Sequence, residues 1–120
     1  MTFKEYQQLA RRTQNALLNQ RDQAEHALWG MASEIGEICG LHQKTHQGHR
    51  LDRAEVKKEV GDLMWFICEY LDVMGYTLEE VCEANIAKLR ERYPQGFSAK
   101  DSIERRDVHA GVRNENQEDL

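Results

Sequence analysis

Proline occurs once in these 120 residues, at Pro94, so nothing upstream of it forces a helix to break. Cysteine is nearly as scarce. Cys39, Cys68 and Cys82 are odd in number and contain no C-x-x-C pair, so they offer no disulfide framework. Reduced thiols lining the core of a cytoplasmic protein are the expectation. Long apolar runs are missing too: the longest, residues 63–68, is far too short to span a bilayer. The opening stretch MTFKEYQQLARR has no apolar segment of the kind a secretory leader needs. No sustained period-two alternation marks a strand, and the β-branched residues are scattered. Positive charge is not in excess. At a net charge of −5, neither a nucleic-acid backbone nor an anionic membrane is the expected partner, and an anionic substrate needs local cations.

What is present is a helical protein. Hydrophobic residues at 40% and charged residues at 31% describe one ordinary globular domain. Four helix starts carry a capping-box pattern or its Asp variant: Thr2-x-x-Glu5, Asp22-x-x-Glu25, Asp52-x-x-Glu55 and Thr77-x-x-Glu80. They predict helices over residues 3–19, 23–44, 53–74 and 78–92, the third stopping at Gly75 and the fourth before Pro94. Residues 45–51 form a polar loop with Gly48. The expected architecture is all-α, a four-helix antiparallel bundle over residues 1–98. Residues 99–120 are polar and poor in large apolar side chains, so a flexible tail is expected there, with Ile103 and Val108 as its docking residues if it has any.

Two acidic pairs share one spacing, Glu34-x-x-Glu37 and Glu59-x-x-Asp62. Helical periodicity projects Glu34 among Ala27, Met31, Ile38 and Leu41, and Glu59 among Val56, Leu63, Phe66 and Tyr70. Glu37 and Asp62 fall on the edge of the same stripes. Carboxylates on apolar faces are costly unless a cation or donors compensate them. Residues at i and i+3 are neighbours on a helix, so each pair can hold one side of an ion. Oxygen ligands without sulfur favour Mg²⁺, with Mn²⁺ as a substitute. The ordinary alternative, solvated helical charge, accounts for one E-x-x-E but poorly for two on apolar faces.

The fourth helix offers the complement. Asn85 lies on its apolar side, with Lys88 and then Arg92 along nearly the same line, an amide and two cations suited to a polyphosphate. The competing reading is a buried amide beside a solvated Lys/Arg edge. Trp29, about one turn before Glu34, can stack on a nucleobase or fill a core or subunit interface; Trp65 is the weaker candidate. His42, His46 and His49 read as a solvated, histidine-rich helix end rather than a metal site.

The segments GMASEIGE (residues 30–37), KEVGD (58–62) and NIAKLRERYPQGFS (85–98) together resemble the MazG-like nucleotide pyrophosphohydrolases, within the all-α NTP pyrophosphatase superfamily. The likeness covers about residues 20–98. It implies an obligate divalent cation and hydrolysis of a nucleoside triphosphate to monophosphate and pyrophosphate. Glu34, Glu37, Glu59 and Asp62 match the family's metal positions, and Asn85 and Lys88 its phosphate contacts. A homodimer or homotetramer is also implied. Glu37 is the favoured general base, with Glu34 close behind. Within the superfamily, a dUTP- or dCTP-preferring enzyme and a phosphoribosyl-ATP pyrophosphohydrolase remain open. Outside it, a non-catalytic helical interaction module is the rival. A di-iron carboxylate bundle is disfavoured because the chain has no E-x-x-H.

Overall fold

The computed structural model describes residues 1–108. Its elements among these are the helices α1 (Phe3–Arg11), α2 (Gln20–Thr45), α3 (Arg53–Met74), α4 (Leu78–Arg92) and α5 (Ala99–Glu104), so the protein is all-α. The chain falls into two compact units, Met1–Leu78 and Glu79–Leu120.

In the first unit, α2 and α3 form the central pair. Gly30 meets the Phe66 ring so closely that a Cβ at Gly30 would overlap it. Four residues before Gly30, His26 reaches Glu69, three residues beyond Phe66. Contacts that ascend α2 while moving the other way along α3 make the pair antiparallel. Helix α1 joins it through Asp72 of α3. Asp72 Oδ1 accepts from Gln7 Nε2 at 2.9 Å and Arg11 Nη2 at 2.7 Å, and its Oδ2 accepts from Gln14 Nε2 at 2.7 Å. The Gln7 amide also donates to the Tyr76 carbonyl, and its oxygen accepts from the Leu78 N–H, so both donors and the oxygen of this buried side chain are engaged. Further along, Trp65 Nε1 donates to Thr13 Oγ1 at 2.7 Å, which turns this indole toward the segment after α1.

The helix ends follow local chemistry. Thr2 and Glu5 form the full reciprocal capping box. Helix α1 ends well before residue 19, where the periodicity alone would carry it. The Thr13 hydroxyl donates back to the Ala10 carbonyl, and Asn15 Oδ1 accepts from the Leu17 N–H, so short polar side chains take over the backbone there. Helix α2 starts three residues earlier than the Asp22 pattern places it. Asn19 is the N-cap, accepting from the Asp22 N–H at 2.8 Å, and Asp22 becomes the acid of the first turn. Helix α3 has the expected bounds: Asp52 accepts from the Ala54 and Glu55 N–H groups, while Glu55 pairs with Lys58 instead of reaching back. Gly75 closes it at φ 77°, a left-handed position that suits glycine.

In the second unit, α4 also keeps its expected bounds. Residues 99–104, expected as part of a tail, are helical because Ser98 caps the Asp101 N–H. Ile103 and Val108 are exposed, and residues 109–120 of the expected tail lie outside the described residues. The cysteines correct one expectation. Cys68 is buried and Cys82 half-buried, but Cys39 is exposed, on the outer side of α2. The apolar core of the described chain is thin: Ala10, Ala27, Cys68, Leu71 and Leu78 are the buried apolar residues, while Leu17 is 94% and Trp29 70% exposed. No helix among the described residues is long and apolar enough to cross a membrane.

Candidate metal centre

One carboxylate oxygen from each of Glu34, Glu59 and Asp62 lies within 4.8 Å of the others, the one group of potential metal ligands among the described residues. The helix pair makes this cluster: Glu34 comes from α2, and Glu59 and Asp62 from facing turns of α3. The first two are half-buried, while Asp62 is exposed. Glu37 stands outside the triplet and is exposed, but its carboxyl lies within hydrogen-bonding reach of Glu59. The fold therefore brings three of the four spaced acids into one group of potential ligands and puts the fourth at its rim.

The electrostatics are those of crowded carboxyls. The Glu37 carboxyl, then that of Glu34, push Glu59 up from 4.5 to about 7, with burial adding to the effect. Glu34 is also raised, chiefly by burial, and Glu37 and Asp62 add to it while Glu59 opposes. Oε2 of Glu34 is buried with no hydrogen-bond partner. Carboxylates this close share protons unless a cation takes their place. An all-oxygen donor set with an orphaned buried oxygen fits a hard divalent cation.

Tyr6 of α1 was not marked by the sequence, where it reads as one apolar residue of a helical stripe. In the structure, burial raises its phenol first, and the nearby Cys68 and Asp62 add to the effect, so α1 brings a polar group toward the acids. No spacing signal announces it, because α1 is remote in sequence. The other predicted residues are placed as follows. Trp29 projects into solvent. His42, His46 and His49 are exposed and join no metal-ligand group. In the second unit, Asn85 and Lys88 are exposed, so Asn85 is not a buried amide, and Lys88 makes no ion pair among the described residues. Arg92 differs from its expected role as a free cation: its fork is engaged by Asp107, Nε to Oδ1 at 2.8 Å and Nη2 to Oδ2 at 2.9 Å. That guanidinium holds Asp107 down at about 2 against the opposing effect of burial.

An all-helical chain with a carboxylate cluster between two antiparallel helices is a candidate divalent-cation protein. A family model for the MazG nucleotide pyrophosphohydrolase domain matches residues 23–97, and the chain belongs to that family. It is also similar to the Gene 37 protein of Mycobacterium phage L5, 28% identical over 72 residues. That match takes in 56% of this chain and 63% of the phage protein, so less than two thirds of the relative's length is spanned. No solved structure matches the chain.

Proposed function

We propose that the protein hydrolyses nucleoside or deoxynucleoside triphosphates to the monophosphate and pyrophosphate, in a Mg²⁺-dependent reaction that Mn²⁺ also supports, with nucleotide-pool sanitation as its role. The observation that carries this is the three-carboxylate group of Glu34, Glu59 and Asp62 in a chain of the MazG family. A cation held by these oxygens would neutralise charge on the triphosphate. Glu37, exposed at the rim and outside the three-oxygen group, is the base that takes a proton from the attacking water; Glu34 is the second choice. As the water oxygen bonds to phosphorus, the bridging P–O bond between the α- and β-phosphates breaks, and pyrophosphate leaves. Asn85 donates to phosphate oxygens and Lys88 offsets their charge. Arg92 joins them where phosphate displaces Asp107, since the same fork fits either group. Trp29 presents an exposed indole for stacking. A homodimer or homotetramer is part of the proposal, supported by the thin apolar core of the described chain.

The test is release of pyrophosphate from a panel of ribo- and deoxynucleoside triphosphates with Mg²⁺. Monophosphate and pyrophosphate in equal amounts, lost on chelation, is the expected result. Release of orthophosphate instead, or no turnover of any nucleotide, would refute the proposal.

A further inference from the structure

The same stripe that carries the acids has a second polar end. Along α2 the residues facing α3 are Glu34, Gly30 and His26, one turn apart; along α3 they are met by Glu59 and Asp62, Phe66, and Glu69. Glu69 is 0% exposed, and its Oε1 lies 2.6 Å from His26 Nδ1. Its other oxygen is buried without a partner. His26 keeps 48% of its side chain exposed, and its ring packs tilted against Phe66 and edge-on to Trp65. A buried carboxylate with one partner is a poor way to stabilise a core, since an apolar side chain of similar volume does so at lower cost. What the pair does achieve is orientation. An acceptor at Nδ1 keeps a proton there, so the tautomer it favours has its lone pair at Nε2. Nε2 has no hydrogen-bond partner among the described residues.

The distance is informative. Eight residues of helix separate Glu34 from His26, about 12 Å at the α-helical rise. That is the scale of a nucleoside between its phosphate and the far edge of its base. Trp29 stands exposed on the same helix between them, offering a flat face.

We infer that the His26–Glu69 pair reads the nucleobase, and that its Nε2 acceptor selects the 6-amino group of adenine or the 4-amino group of cytosine over the keto oxygen that guanine or uracil carries at the same position. This rests on the triphosphate hydrolysis proposed above. With phosphates at the acid cluster, the base lies along α2 toward His26, where a keto oxygen would meet a lone pair and an amino group would donate to it.

The experiment compares kcat/KM for ATP, CTP, GTP and UTP in the wild-type protein, in Glu69→Met, which removes the acceptor at Nδ1, and in a His26→Phe/Glu69→Met double variant. The double variant replaces the pair with apolar volume, so no unpaired charge remains to unfold the chain; circular dichroism checks helical content. The wild type should favour ATP or CTP over its keto counterpart by about tenfold, the worth of one well-placed hydrogen bond. That ratio should fall toward one in both variants, and whether ATP or CTP leads names the base. A wild type without the preference, or a double variant that keeps it, overturns the inference while leaving the hydrolysis standing. Absence of turnover in the wild type overturns both.

Discussion

Asp72 and Glu59 are carboxylates of one helix, α3, in opposite surroundings. Asp72 faces donors on α1 and the segment that follows it. Burial works against its charge, but hydrogen bonds from Arg11, Gln14 and Gln7 outweigh that and hold it below the usual carboxylate range. Glu59 faces other carboxyls, which push it up to about 7. The first arrangement is complete within the chain and ties α1 to α3. The second brings carboxyls together with no cationic side chain of the described residues among the causes of the upward shift. Acids that the fold supplies with donors tie elements together, whereas acids that the fold crowds together without donors hold protons that a cation can replace.

Three changes would break or sharpen this contrast. The largest effect is expected for Glu59→Gln, which removes a ligand from the cluster. Pyrophosphate release should fall by a factor of 100 or more, on the order of what loss of one electrostatic group in an active site costs. Helical content should stay intact, because no backbone or cationic side-chain donor among the described residues bonds to Glu59. Substantial residual turnover would remove Glu59 from the site.

Asp72→Ala should behave inversely. It leaves Gln7, Gln14 and Arg11 without their acceptor, and we expect a loss of about 2–4 kcal/mol in unfolding free energy by urea denaturation. Wild-type stability in that variant would mean that the three donors find water at no cost.

The smallest effect is a pH dependence. Because Glu59 is raised from 4.5 to about 7 in the fold, the folded state holds a proton that the unfolded chain has released across that interval. Its contribution to stability is therefore present below about 4.5 and lost as pH rises through about 7. Thermal melts of the metal-free protein should show Tm falling over that range, with Mg²⁺ restoring it most at the upper end. Asp72 contributes with the opposite sign: its stabilisation is present above 3.8 and lost as the pH falls through its lowered value. A Mg²⁺ effect that is equal at both ends would argue against proton–cation exchange at the cluster.

Much of the helical framework was legible in the sequence. The Thr2–Glu5 box, the Asp52 cap and the Gly75 stop act within a few residues of chain, and the helix ends they set, the start of α1 and both ends of α3, are the expected ones. The misplaced ends have the same local origin, read differently. Asn19 outcompetes Asp22 as a cap because it stands earlier and finds a free N–H, and Thr13 and Asn15 divert the backbone that periodicity would have kept helical. For the acids, spacing was enough to put Glu34, Glu59 and Asp62 on facing stripes. It did not separate Glu37 from the other three, because an edge position differs from a central one by only part of a turn. Glu69 left a faint signal, a lone acid in the apolar stretch after Asp62, at a spacing of seven that returns to the same helix face.

Taken by itself, the sequence determined the all-α class, the bounds of α3 and α4, the two acid pairs and the family, since each rests on local chemistry or on residue order along the chain. Tertiary structure alone decided who meets whom. The antiparallel pairing of α2 with α3, with Phe66 lodged over Gly30, is what makes three acids one ligand group and leaves Glu69 alone with His26, while the packing of α1 and the segment after it on α3 sets Tyr6 near Asp62 and closes Asp72 with donors. The physical reason is that a carboxylate's charge state is set by the groups around it in space, and those groups come from segments that one-dimensional order does not relate.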